Sequence, residues 1–506
     1  MTLIESSPAQ FTLVACSLGV AFLVLIVVYS YFFHPLARVP GPWTGAVFPF
    51  WSISTLYRRR LNPDLAELHK IYGPVVRVGP NQLSFATIEA QKMIYNAKPT
   101  NNGSDEHFGR DGTLQDVLLS MILGAPNIGS LSNRAEHKKM RKRLLPGFTS
   151  NTIFEQEPLL RLHVDQLLHR LAQDAGLINL TSHFSRFLWD LIGDFSFGEP
   201  LVPEKHELRT DKLKSMVEIY QGCFPLLEAI NHVVPEINAV IRLAFRLVPP
   251  ATLRAVLPTA TLRGCVDRQD GRSDFLTHIM GDKSRDPTEL ELSYDEVHSN
   301  ATVLMIAGYK TTETSLSALF YRILSTPGVL KNLQSELFSN FQSIDGITGR
   351  KLLSLPYLNG CIYESLRLAP PVAGKFASRR SPGAVIQGFY VPPGTEVFTE
   401  TYTMQRSPLY WYAPDEYHPE RWLKQSEGSP YAQDVHEAFK PFSSGPRACL
   451  GREMALQTLR LTTALLAYRF DMEMVNEDQF VWEQDTESRM VYSQYQIKAV
   501  VQEHLT

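Results

Sequence analysis

Residues 11–33, FTLVACSLGVAFLVLIVVYSYFF, form a run of 23 residues without one charged side chain. No other stretch restricts the fold as strongly. As a helix rising ~1.5 Å per residue it covers roughly 34 Å, enough to cross the hydrocarbon core of a bilayer. Tyr29, Tyr31, Phe32 and Phe33 collect at its end, where aromatic rings sit at a membrane–water interface. A buried core helix and a cleaved signal peptide are the alternatives. A signal peptide has a basic start, a shorter apolar run and a small-residue cleavage site. Here the preceding residues carry only Glu5, and positive charge comes after the run at Arg38, Arg58, Arg59 and Arg60. That bias places the rest of the chain on the cytoplasmic side. The expectation is an uncleaved, single-pass anchor over residues 1–33.

His34-Pro35-Leu36-Ala37-Arg38-Val39-Pro40-Gly41-Pro42 comes next. Its prolines forbid a regular helix and stiffen the backbone, so residues 34–61 read as a hinge and linker. From residue 62 to 506 no low-complexity stretch or repeat divides the chain, and one catalytic domain is expected. The 506 residues are 44% hydrophobic and 20% charged, enough to bury a large core. A net charge of −3 gives no sign of nucleic-acid binding. Five cysteines, at 16, 223, 265, 361 and 449, form no C-x-x-C pair and are odd in number. A disulfide framework and a structural zinc site are both disfavoured.

Helical periodicity dominates residues 135–250 and 290–370. Ser293-Tyr294-Asp295-Glu296 is a capping box, and no proline occurs after it until Pro327. A helix of about 30 residues is expected there, apolar nearly all round from Ala301 to Thr312 and therefore threaded through the core. Val75–Val78 reads as a strand stopped by Gly79-Pro80. Between 372 and 402 short apolar pieces alternate with Pro382-Gly383, Gly388 and Pro392-Pro393-Gly394, the texture of short strands and turns. A last helix is expected from about Gly451 to Tyr468, then strands. The fold class is mostly α with a small, late β region.

Phe442-Ser443-Ser444-Gly445-Pro446-Arg447-Ala448-Cys449-Leu450-Gly451 fits F-x-x-G-x-R-x-C-x-G at every fixed position. The residue types suit a thiolate ligand to haem iron, which donates electron density and favours O–O cleavage. Gly445 and Gly451 would let backbone pass close to the porphyrin and turn sharply. The helix that starts near Gly451 would aim N–H groups at the sulfur. Phe442 would cover the sulfur, and Arg447 would pair with a haem propionate. A lone cysteine is more often a small buried hydrophobe, but the surrounding pattern argues for Cys449 as the metal ligand.

On these residues the chain resembles the cytochrome P-450 superfamily, and further motifs of that family occur in order. Glu364-Ser365-Leu366-Arg367 matches E-x-x-R, and Arg421 lies in the short motif between it and Cys449. The resemblance implies a buried network of Glu364, Arg367 and Arg421 supporting the haem-binding face. Ala307-Gly308-Tyr309-Lys310-Thr311-Thr312 matches A/G-G-x-D/E-T-T/S except at Lys310. The resemblance assigns the small residues to dioxygen and makes Thr311 the catalytic residue that passes protons. A hydroxyl bonded back to the i−4 carbonyl is the commoner fate of a mid-helix threonine. Lys310 stands where the family carries an acid. It either pairs with Glu313 away from the haem, the preferred reading, or alters proton delivery. His137 and Arg141 match a W-x-x-x-R helix with His for Trp, and Arg379 or Arg380 stands near another family arginine. All are expected at the propionates. Lys138, Lys139, Lys142 and Arg143 would form a solvated basic face or steer an acidic reductase.

The resemblance implies a cytochrome P-450 fold behind a transmembrane helix, with haem b as cofactor. It also implies anchorage in the endoplasmic reticulum membrane with the catalytic domain in the cytosol. Electrons would come from NADPH–cytochrome P-450 reductase, with cytochrome b5 as a further donor. The activity implied is oxidation of an apolar small molecule with O2, the hinge being most like fungal microsomal enzymes of terpenoid, polyketide or alkaloid metabolism. Two rivals are a reductase-independent isomerase or dehydratase and a non-catalytic haem carrier or sensor. Phe108, Leu118, Met121, Phe224, Leu226 and Tyr309 are candidate pocket residues. The sequons at Asn102, Asn179 and Asn300 are taken as chance matches in a cytosolic domain.

Overall fold

A computed structural model describes residues 8–48, 50–96, 108–110, 119–120, 123–174, 176–198, 243, 275, 292–372, 374–488, 491–493 and 495–504. Leu118, Met121, Phe224, Leu226 and the Asn102 sequon lie outside them. Helix α1 (Pro8–Val28) continues into a π-helical turn, Tyr29–Phe33. Residues Thr12–Phe33 have a mean hydropathy of 2.6 and, apart from Ser30 near the end, lie largely exposed. A helix that is apolar all round and unpacked suits lipid contact, which is consistent with membrane anchoring.

The segment after α1 is strapped down. Leu36 and Val39 are buried with Val75, Leu83 and Val397. Arg77 explains the strap: its backbone N–H donates to Pro40 O at 2.7 Å and its Nη1 to Ser30 O at 3.0 Å.

The core is framed by α2 (Arg134–Leu144), α3 (Glu157–Gln173), α4 (Leu180–Phe197), α5 (Tyr294–Ser325), α6 (Pro356–Leu368) and α7 (Arg452–Arg469). The capping box of α5 is formed, with Ser293 accepting from Glu296 N and Glu296 from Ser293 N. Its 32 residues run through one large apolar cluster shared with α3, α4, α6 and α7. Two sequons are used structurally. Asn179 caps α4 by accepting from Ser182 N, and Asn300 is buried with its Oδ1 accepting from Ile128 N at 2.9 Å.

The strands are short. β1 (Val75–Gly79), β2 (Gln82–Phe85), β7 (Glu396–Thr399) and β4 (Arg379–Arg380) form one sheet in the order β1-β2-β7-β4. Within it the β2–β7 pair is parallel and the other pairs are antiparallel. β5 (Ala384–Ile386) and β6 (Phe389–Val391) make a hairpin over Gln387-Gly388, both at positive φ, as a two-residue turn of this hand requires. β3 (Gly176–Asn179), β11 (Lys498–Glu503) and β8 (Phe470–Met474) form a second sheet, and β9 (Glu487–Ser488) pairs with β10 (Tyr492–Ser493). The expected mostly helical fold with a late β region is present.

Candidate active site

The cysteine loop closes on itself. Cys449 N donates to Phe442 O at 2.9 Å, and Ala448 N to Gly445 O at 3.0 Å. Gly445 has φ +74°, and a Cβ there would lie 2.0 Å from Tyr95 O. Gly445 is therefore needed for a close approach to the Tyr95 backbone. Gly451 has φ −86°, and a Cβ on it would meet no protein atom within 4 Å. Its N–H bonds Cys449 at the start of α7. Burial pushes the Cys449 thiol up, opposed by that N–H, Arg141 and Arg452. The side chain is nonetheless exposed by area. A sulfur set deep among protein atoms but facing an open internal space satisfies both facts. Phe442 is half-buried against the main core and meets Cys449 through the backbone bond.

Helix α2 supplies the flank. Asn133 caps it through bonds from Ala135 N and Glu136 N. Arg141 Nη1 donates to Ala448 O at 2.8 Å. Arg447 reaches the residues before α2, donating to Leu131 O and Ser132 O at 2.7 Å each. His137 is buried on the same helix, and its pKa falls to about 3 through burial first, then Arg447, Arg141, Arg110 and Arg379. Four guanidinium groups from separate segments thus converge on one neutral imidazole. Arg379, not the half-buried Arg380, is the member from β4. Arg110 had no sequence signal. A backbone bridge, Arg380 N to Gly109 O at 2.7 Å, brings it beside Arg379. Lys138, Lys139 and Lys142 are exposed along α2.

Beneath the loop lies the carboxylate network. Glu364, Arg367 and Arg421 are each 0% exposed. Arg367 grips Glu364 through Nε and Nη2 at 2.8 Å each, and Arg421 Nε donates to Glu364 Oε1 at 2.8 Å. Trp422 Nε1 adds a bond at 2.9 Å, and Arg421 also pairs with Asp434. Burial works to raise the Glu364 carboxyl, but Arg367 and then Arg421 hold it below its usual range. The network reaches the loop through Gln405. Arg367 Nη1 donates to Gln405 O at 2.7 Å, and Gln405 Oε1 accepts from Lys440 N at 3.0 Å.

On α5, Ala307 is exposed in the middle of a helix whose other faces are mostly buried, and Leu304, Gly308 and Thr311 are half-buried. At i, i+3, i+4 and i+7 they make one open stripe. A Cβ on Gly308 would touch Ile192 of α4 at 3.4 Å, so its small size also serves helix packing. Thr311 Oγ1 donates to Ala307 O at 2.6 Å, the back-bond the sequence allowed, and an oxygen that donates keeps its acceptor capacity. Lys310 Nζ lies 2.6 Å from Glu313 Oε2, the expected pairing. Tyr309 does not belong to a pocket. It is buried, bonds Ser185 Oγ at 2.7 Å and meets Trp189 edge-on at 4.9 Å, so it packs α5 on α4. Phe108 packs beside the sheet carrying β1 and β2.

The helical fold, the cysteine loop and the buried Glu–Arg–Arg set define a haem-thiolate enzyme, and the Cytochrome P-450 family model matches residues 40–499. The chain belongs to that family. It is 74% identical to sesterfisheric acid synthase of Neosartorya fischeri, over 100% of this chain and 99% of that one. A cytochrome P-450 monooxygenase of Fusarium proliferatum is 39% identical, over 94% of this chain and 93% of its own length. One of Cochliobolus heterostrophus is also 39% identical, over 96% and 95%. The chain is a cytochrome P-450 monooxygenase of fungal secondary metabolism. The family uses haem b, a redox-partner reductase and small organic substrates. The residues found fit that cofactor. A sulfur faces open space, an N–H and an arginine lie beside it, and a guanidinium cluster suits a group bearing two carboxylates.

Proposed function

We propose that this chain oxidises an apolar small molecule with O2 and two electrons from NADPH, relayed by NADPH–cytochrome P-450 reductase. Cytochrome b5 is a further donor of the right kind. Residues 1–33 anchor it in the endoplasmic reticulum membrane, 34–61 orient it, and 62–506 form the cytosolic catalytic domain. Exposed Lys138, Lys139 and Lys142 support docking of an acidic reductase on α2.

The observation that carries this reading is the open-faced Cys449 beside the Gly451 N–H and Arg141. Cys449 is the proposed iron ligand. Arg447, Arg379, His137 and Arg110 hold the carboxylate edge, while Arg141 fastens the loop and Phe442 closes it. When bound, the haem supplies O2 activation. Thr311 would relay a proton at Oγ1, accepting one as it gives up its own, and the stripe at Leu304, Ala307 and Gly308 would leave room for dioxygen and substrate. The relative whose name denotes an acid synthase supports a carboxylic acid product here. Converting a methyl to a carboxyl takes three successive oxidations at one carbon, through alcohol and aldehyde.

Membranes bearing the enzyme are assayed on candidate terpenoid hydrocarbons with and without NADPH and reductase. Oxygenated product is expected only with both. Product at full rate without NADPH overturns the monooxygenase reading in favour of an isomerase or dehydratase. A Cys449→Ala variant that keeps the ferrous–CO absorption of a thiolate haem overturns the ligand assignment.

A further inference from the structure

Lys310 stands one residue before Thr311, and its ammonium is committed elsewhere. Nζ lies 2.6 Å from Glu313 Oε2 and 4.8 Å from the centre of the Tyr495 ring. Glu313 is 1% exposed, and the same Oε2 accepts from Tyr495 OH at 2.6 Å. Thr314 Oγ1 lies 2.8 Å from Tyr495 OH. The phenol has one proton and gives it to Glu313, so Thr314 is the donor in that pair. Burial, then the charge of Glu313, pushes the phenol well above its ordinary range and keeps that proton in place.

Tyr495 is the hinge-pin of a longer assembly. Its ring lies tilted 5.0 Å from that of Trp482, which also meets Tyr492 at 5.8 Å and Tyr321 of α5 at 5.9 Å. Two residues on, Ile497 O accepts from Leu180 N at 2.9 Å. Four residues before, Val491 bridges Val372 in the segment after α6. The turn of α5 that carries Thr311 is thereby tied to the backbone bridge between Val372 and Val491. A carboxylate as buried as Glu313 is tolerable only when paired, and a pair broken from one side is costly.

We propose that Lys310 is a positioning residue for specificity: by neutralising Glu313 it holds Tyr495, and with it the Val491–Val372 wall, against the oxygen-side turn of α5. The inference rests on the proposed function, since it takes the space over the α5 stripe as the substrate's and adds the Val491–Val372 segments as a wall of that space. It also explains how a lysine is tolerated where the family pattern has an acid. Lys310 shapes the pocket and carries no proton to Thr311.

The test uses full-length enzyme in detergent or nanodiscs, with Lys310→Met, Glu313→Gln, the double variant, Lys310→Arg and Tyr495→Phe. Hydrogen exchange of residues 491–497 is one readout. The other is spectral binding of two probes, ketoconazole as a bulky ligand and imidazole as a small one. Lys310→Met and Tyr495→Phe are expected to speed exchange about tenfold and to shift the ketoconazole Kd more than the imidazole Kd. The double variant, which removes both charges, returns both readouts to within about twofold of wild type, and Lys310→Arg stays near wild type. Unchanged exchange in Lys310→Met, or no rescue by Glu313→Gln, overturns the proposal. If the wild type itself lacks the ferrous–CO absorption of a thiolate haem, the functional reading fails whatever the clamp does.

Discussion

Arg141 donates through Nη1 to the carbonyl of Ala448 at 2.8 Å, one residue before Cys449. The bond fastens the cysteine loop to α2 and sets a guanidinium beside the sulfur, where its charge favours thiolate. Arg141→Ala is expected to lower haem affinity about tenfold, as loss of a charge-assisted bond to a backbone carbonyl does. The haem-to-protein ratio of the purified variant checks it. Arg141→Lys keeps the charge but not the planar donor set, so it falls between wild type and alanine.

Glu364 accepts from Arg367, Arg421, Trp422 and His418 N while fully buried. Glu364→Gln leaves the buried Arg367 without its carboxylate partner, while Arg421 keeps Asp434, at a cost of about 3–5 kcal/mol. The expected result is protein that loses haem and stability together, because Gln405 passes the disturbance to Lys440 at the head of the loop. Denaturant unfolding with the ferrous–CO spectrum reads both. Haem retained with slowed turnover alone would contradict the structural role.

Gly445→Ala is expected to be as damaging as loss of a network residue. The added Cβ would fall 2.0 Å from Tyr95 O at φ +74°. The left-handed conformation alone costs roughly 1–2 kcal/mol for an L-residue. Gly451→Ala, with no protein atom within 4 Å of its Cβ, should leave the stability of the fold near wild type. Comparing unfolding midpoints of the two variants separates a glycine packed on protein backbone from one that is not.

Glu400 is fully buried, and no cation among the described residues pairs with it. Its Oε1 accepts from Tyr402 N at 3.0 Å, while Oε2 has no hydrogen-bond partner among the described residues. Burial pushes its carboxyl from 4.5 up to about 8, against bonds from the backbone of Tyr402 and Thr403. The folded chain therefore holds a proton that the unfolded chain releases. Its contribution to stability is full below pH 4.5, is lost as pH rises, and levels off above about 8. Glu400→Gln should flatten that slope and stabilise the enzyme at pH 8 by roughly 1–3 kcal/mol. Unfolding midpoints at pH 6 and pH 8 give the answer.

The cysteine loop and the carboxylate network were readable because their constraints are local. The spacing of Phe442, Gly445, Arg447, Cys449 and Gly451, and the i, i+3 step from Glu364 to Arg367, each lie within one turn or loop. Where sequence and structure part, the cause is contact between distant segments. Tyr309 looks like a pocket residue in a linear motif, but α4 brings Ser185 and Trp189 against it and makes it core. Arg110 belongs to no motif and reaches the cationic cluster only because Gly109 bridges Arg380.

The long apolar N-terminal helix, the capped core helix, the cysteine loop and the family were all legible along the chain. Each is written in hydropathy, capping chemistry or spacing over a few residues. Folding alone reveals that Gly445 packs on the Tyr95 backbone, and that the Lys310–Glu313 pair is also bonded by Tyr495. It also reveals that Gln405 joins the buried network to the loop. Those outcomes depend on which backbone or side chain arrives from a remote part of the chain, or through an intermediary between two segments. Chain order carries no distance information of that kind.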